Sequence, residues 1–177
     1  DITVDGSPEW TARKLRMHLP SVITTVPIIT HLDRRIVEQG EHEYIIRDEW
    51  EVNVLRPLPS WLSSYLPIQM IDVDSTLYWD DQSRTVEWYL SLPDWPELLP
   101  VCEGTVVFEE QGDETRIKLE GHFDLDPSVL PGVPGLVRTL LSGRQGPLAE
   151  RIIQRYLPDL KSELEAIDLE KSVTTMT

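Results

Sequence analysis

The sequence predicts an α+β domain in which a run of antiparallel strands forms the bed for one long C-terminal helix. Two observations carry this. From Pro147 to about Lys171, Ala149, Ile152, Ile153, Tyr156, Leu160, Leu164 and Ile167 recur at three- and four-residue steps, the signature of one apolar helical stripe. Between Ile28 and Leu125, six segments rich in β-branched and aromatic residues are separated by turn-forming residues, as in a series of strands joined largely by hairpins. A stripe that long needs a broad apolar surface, and the strands supply it.

Taken in order, Ile2 and Val4 alternate with polar neighbours and read as a first strand. Asp5-Gly6-Ser7-Pro8-Glu9 turns into a helix, with Ser7 able to cap and Pro8 at the first helical position. That helix is expected to stop before Pro20, with a short helical turn around Ser21 to Val26. Strands follow at Ile28–Glu38 and His42–Val54. In the second, Tyr44, Ile46, Trp50, Val52 and Val54 share one face, and Asp48 falls on that same apolar face. Leu55 to Pro67 breaks the rhythm and can make two helical turns, a candidate lid carrying Trp61 and Tyr65. Strands resume at Ile68–Trp79, Arg84–Leu92, Val101–Glu110 and Glu114–Leu125. Gly135 to Leu141 is a short candidate helix. Gly146-Pro147 opens the long one, Pro158 is expected to kink it, and Ser172–Thr177 forms a frayed tail.

The 177 residues fit one domain spanning 1–177, large enough to bury a core without staples. A hydrophobic content of 40% with 27% charged residues is ordinary for a globular chain, and no apolar run approaches a membrane span. The single cysteine, Cys102, excludes an internal disulfide and fits a reducing, cytoplasmic setting. A net charge of −15 argues against nucleic acid or an anionic membrane surface as partner.

The order of elements, the Ile2-Thr3-Val4-Asp5-Gly6-Ser7-Pro8-Glu9-Trp10 opening and the closing helix resemble the START-like (SRPBCC) superfamily. This is the helix-grip fold of lipid-transfer domains, plant pathogenesis-related ligand binders and polyketide cyclases. The resemblance implies a curved antiparallel sheet of six to seven strands wrapped around the C-terminal helix. It also implies a hydrophobic small molecule or lipid as partner, bound in the enclosed space. The expected lining is Tyr44, Ile46, Asp48, Trp50, Trp61, Tyr65, Trp88, Ile152 and Tyr156. An aromatase/cyclase acting on a polyketide-like substrate is the alternative, and a protein-interaction module a third reading. A core filled by the aromatic side chains competes with all of these.

Residues with catalytic character are few. Cys102 sits at a strand start and reads as a small buried hydrophobe. His18, His31, His42 and His122 have no metal-ligand spacing, and Asp72, Asp74, Asp80 and Asp81 lack that of a calcium loop. No metal or cofactor is expected. Asp48 is the one candidate proton carrier, because a carboxylate on an apolar face must find a cation or shed its charge. A structural ion pair with an arginine, or an irregularity of register, is the favoured reading of Asp48, and no catalytic residue is assigned.

Overall fold

The structure, a computed structural model, describes residues 1–23, 26–56, 63 and 69–167; in the closing helix, the side chains at 140, 141, 143–145, 148, 149, 151 and 152 fall outside the description. Trp61 and Tyr65, and with them nearly all of the candidate lid, lie outside the described residues, as does the 172–177 tail.

The elements run β1 (Ile2–Asp5), α1 (Pro8–Ile23), β2 (Ile29–Gln39), β3 (Glu43–Asn53), β4 (Met70–Asp80), β5 (Thr85–Ser91), β6 (Val101–Gln111) and β7 (Glu114–Asp124). A 3₁₀ turn at Pro127–Val129 leads to α2 (Gly135–Ala166). The strands form one seven-stranded sheet in the order β1-β7-β6-β5-β4-β3-β2. Every neighbouring pair is antiparallel. Consecutive strands pair by hairpin, and β1 closes the far edge against β7, so each strand's alternation sorts its side chains onto two faces.

One face bears the helices. In register across the sheet it carries Ile46, Leu77, Trp88, Gly104 and Gly121, with Tyr44, Trp79, Val86, Val106 and Leu119 in the next row. Two core clusters cover the ends of this inner face. The first joins Val4, Ala12, Val22, Ile46, Trp79, Phe108 and Ile117 to Leu164 of α2. The second joins Leu92, Leu98, Leu130, Val133 and Val137. Helix α2 thus touches β1 and α1 near its C-terminal end and the 3₁₀ turn near its start. The buried Lys14 of α1 ties the first junction, donating to the Leu164 carbonyl at 2.9 Å. This carbonyl lies in the last turn of α2, where a cation is favoured.

Both helices run past residues expected to break them. Helix α1 continues through Pro20 to Ile23, because the carbonyl that Pro20 cannot bond, that of Arg16, accepts from Arg34 Nη1 at 2.7 Å. The expected short helix at Gly135 and the long one at Pro147 are one helix, with Pro147 and Pro158 inside it. A proline forces its predecessor out of the helical region mainly through that residue's Cβ, and the predecessor here is Gly146.

Candidate functional site

Of the expected ligand residues of the sheet, Ile46 belongs to the first core cluster, Tyr44 and Trp88 pack against it, Asp48 is buried, and Trp50 joins neither cluster. Trp50 of β3 donates its indole N–H to Ser75 Oγ across the β3–β4 pair at 3.0 Å. Trp88 of β5 lies over the β6–β7 pair, and the sequence leaves room for it there. A Cβ at Gly121 would stand 2.4 Å from the Trp88 ring and one at Gly104 2.5 Å from it. Two glycines face each other in adjacent strands, and the Trp88 indole occupies the space that side chains there would fill. The Trp88 Nε1–H is buried and has no partner among the described residues. Trp50, Leu90, Cys102 and Phe123 face the same side and join neither core cluster. Leu119, also on this face, keeps 41% of its surface exposed.

Cys102 looks into this region. Burial pushes its thiol up to about 11, so it stays protonated near neutral pH and is no activated nucleophile. Ile46 is fully buried and belongs to the first cluster, so its part is structural. Tyr156 sits half-buried on α2, with the Arg155 guanidinium 5.8 Å from its ring. The Ile152 side chain lies outside the described residues.

Asp48 is buried on the inner face, and it has a cation. Arg34, opposite it on β2, donates Nε to Oδ1 at 2.7 Å and Nη2 to Oδ2 at 2.5 Å. Both members are nearly solvent-free, with side-chain exposures of 8% and 0%. Of the readings of Asp48, the structural ion pair with an arginine is the one observed: both oxygens are held in a bidentate pair, the geometry that best offsets the desolvation of two charges. Arg34 also secures Arg16, whose carbonyl takes its remaining terminal nitrogen. Pro20, Arg16, Arg34 and Asp48 therefore act as one clasp between α1 and the β2–β3 edge.

Tyr44 faces a different space. It lines a cleft of about 990 Å³ between α1, the β2–β3 hairpin and the β4–β5 turn. There the Arg16 guanidinium lies 3.8 Å from the ring centroid and pairs with Asp81. Arg84, in the β4–β5 turn, holds a left-handed φ of +57° and binds Glu9 at 2.5 Å. Of the acidic residues along β4 and its turn, Asp72 and Asp74 are exposed. Asp80 accepts from the backbone N–H groups of Gln82 and Ser83 and from the Ser83 hydroxyl, bonds that hold its carboxyl below the usual range. His122 is exposed beside Asp124. Among the described residues no cluster of His, Cys, Asp and Glu is arranged to hold a metal ion, and no helix is long and apolar enough to cross a membrane.

A seven-stranded antiparallel sheet with the C-terminal helix packed against its inner face is a helix-grip fold. The structure is similar to that of the Zhui aromatase/cyclase from Streptomyces sp. R1128, with a TM-score of 0.61 and 16% identity over 93% of this chain and 90% of that one. It is similar to TTHA0849 from Thermus thermophilus, with a TM-score of 0.58 and 17% identity over 99% and 96% of the two chains. A STAR-related lipid transfer protein fragment from Xanthomonas axonopodis gives a TM-score of 0.51 and 12% identity over 92% and 82%. No family model and no curated protein matches the sequence. At these identities the likeness establishes the fold.

Sequence reasoning missed Gly104, Gly121 and Ser75 as parts of this region. The signal for the glycines was present, since glycine inside a strand marks a close approach of something bulky. Their partner, Trp88, comes from another strand.

Proposed function

We propose that the protein binds a hydrophobic small molecule or lipid between the middle of the inner sheet face and α2. One observation carries this: Trp50, Leu90, Cys102 and Phe123 of the inner face join neither core cluster, and beside them Trp88, packed against the first cluster, sits over two glycines. A core built only for stability fills such a middle with interdigitating side chains. Here the strands carry hydrogen atoms at Gly104 and Gly121, and the Trp88 indole takes the space above them. The ring offers apolar area together with a buried indole N–H that lacks a partner among the described residues. Such a donor calls for an acceptor, so the ligand class is an apolar body with a carbonyl or ether oxygen placed over Trp88. Trp50, held by Ser75, forms a second wall.

The likeness to a lipid-transfer protein and to an aromatase/cyclase supports a small apolar ligand in this part of the fold. Asp48 does not favour the cyclase reading, because Arg34 occupies both its oxygens. The test is mass spectrometry of small molecules extracted from the purified, folded protein. An apolar compound recovered in near-stoichiometric amount, and lost from a variant with Trp88 replaced by alanine, supports the proposal. A clean extract together with failure to take up any neutral aromatic probe defeats it.

A further inference from the structure

The cleft beside α1 has a construction that the interior site does not use. Its walls include Ala12, Met17 and Pro20 from α1 and Ile36 from β2. Met17 and Ile36 keep 41% and 56% of their surfaces exposed. Into this apolar trough project the guanidinium groups of Arg13, Arg16, Arg34 and Arg84, against the carboxylates of Glu9 and Asp81. Asp81, Asp48 and Glu9 answer Arg16, Arg34 and Arg84, which leaves Arg13 as the net cation of the cleft in a chain of net charge −15.

Arg16 decides what the cleft can take. Its side chain is only 11% exposed, its guanidinium carbon lies 3.8 Å from the Tyr44 ring centroid, and its Nη1 is committed to Asp81. Arg34, beside it, uses its Nε–Nη2 edge to grip the two oxygens of Asp48. The same edge of Arg16 has no partner among the described residues. Arg13 likewise makes no ion pair or hydrogen bond among them. An oriented, nearly buried guanidinium with an open bidentate edge is matched by a carboxylate. The apolar walls on both sides are matched by an alkyl or aryl body, and the volume is that of a small-molecule site.

We propose that the α1 cleft is a second ligand site, separate from the interior, which takes an amphipathic carboxylate: the carboxylate on the Nε–Nη2 edge of Arg16 with Arg13 beside it, the apolar body between Met17 and Ile36. This does not rest on the interior-binding proposal. The probe is 2-naphthoate, with the neutral 2-naphthalenemethanol as its control, titrated into the full chain and followed by amide and indole NMR shifts. The expected result is saturable binding of 2-naphthoate, with shifts at Arg13, Met17, Ile36 and Tyr44, and at least tenfold weaker binding of the alcohol. Arg16→Lys keeps the charge but loses the bidentate edge, and is expected to weaken 2-naphthoate roughly tenfold. Arg13→Glu, at an exposed position that leaves the fold intact, is expected to weaken it several-fold. Equal affinity for acid and alcohol, unchanged affinity in Arg13→Glu, or shifts confined to the Trp50 and Trp88 indoles overturns the proposal. Shifts at the two tryptophans alone would leave interior binding standing while the cleft fails, so the two proposals fall separately.

Discussion

Replacing Gly121 by alanine tests whether Trp88 occupies the space left by the absent side chain. The new Cβ would lie 2.4 Å from one indole carbon and 2.7 Å from another. Carbon atoms rest at about 3.5–4.0 Å, so the ring must retreat by about 1 Å or more. Overpacking of that kind costs about 1–3 kcal/mol. In a chain of 177 residues, each kcal/mol lowers Tm by about 2–4 °C, so thermal unfolding should fall by about 2–12 °C. Gly104→Ala should cost more, because its Cβ would meet the backbone, the Glu120 carbonyl at 2.1 Å and the Gly121 Cα at 2.6 Å, and backbone cannot rotate aside. Gly135→Ala, with nothing within 4 Å, should stay within about 0.5 kcal/mol of the parent. The decisive assay is a double-mutant cycle by chemical denaturation. Gly121→Ala combined with Trp88→Leu should cost less than the sum of the two single changes, with a coupling of about 0.5–3 kcal/mol. Strict additivity would refute the reasoning, since it would mean that the indole and the glycine do not share space.

Three further outcomes are expected. Asp48→Ala should cost about 3–5 kcal/mol by leaving Arg34 buried without its anion, whereas Asp48→Leu with Arg34→Met should recover only part of the loss in the same denaturation assay, because the Arg16 carbonyl then loses its donor. Lys14→Met removes the donor to the Leu164 carbonyl; it should cost about 1.5–3 kcal/mol and speed amide exchange in the last turns of α2. Cys102 should react slowly with iodoacetamide at pH 8 until the protein is unfolded, because burial raises its folded-state value from the reference 9.0 to about 11. A raised value means that the folded state holds the proton longer. Stability linked to this thiol is therefore complete below pH 9 and declines as pH rises from about 9 towards 11.

The strands were legible because alternation and turn residues are local. Tyr44, Ile46, Asp48 and Trp50 were placed on one face, and they share it. Asp48 was legible as an anomaly, but its partner was not, for a specific reason. Extending the pairing of Gln39 with Tyr44 and Glu38 with Ile45 straight along the hairpin would set Arg35 across from Asp48. A bulge between Ile36 and Glu38 shifts the register by one and brings Arg34 there instead. Nothing in the local composition announces that bulge. Helix ends were misread at Pro20 and at Gly146-Pro147 for a related reason. The penalty of a proline is local, whereas what offsets it at Pro20 is an arginine on another element. The role of Gly104 and Gly121 likewise depends on a tryptophan brought over by sheet order.

The central claim is that the inner face of the sheet receives an apolar ligand over Trp88. The most direct test is titration with Prodan, a neutral naphthyl ketone with one good acceptor, while following the Trp88 indole N–H resonance. The account predicts single-site binding, a blue-shifted and enhanced Prodan emission, and a downfield displacement of the Trp88 N–H as it gains an acceptor, all weakened by Gly121→Ala. An unmoved Trp88 resonance at saturating Prodan, or equal binding by Gly121→Ala, would contradict it.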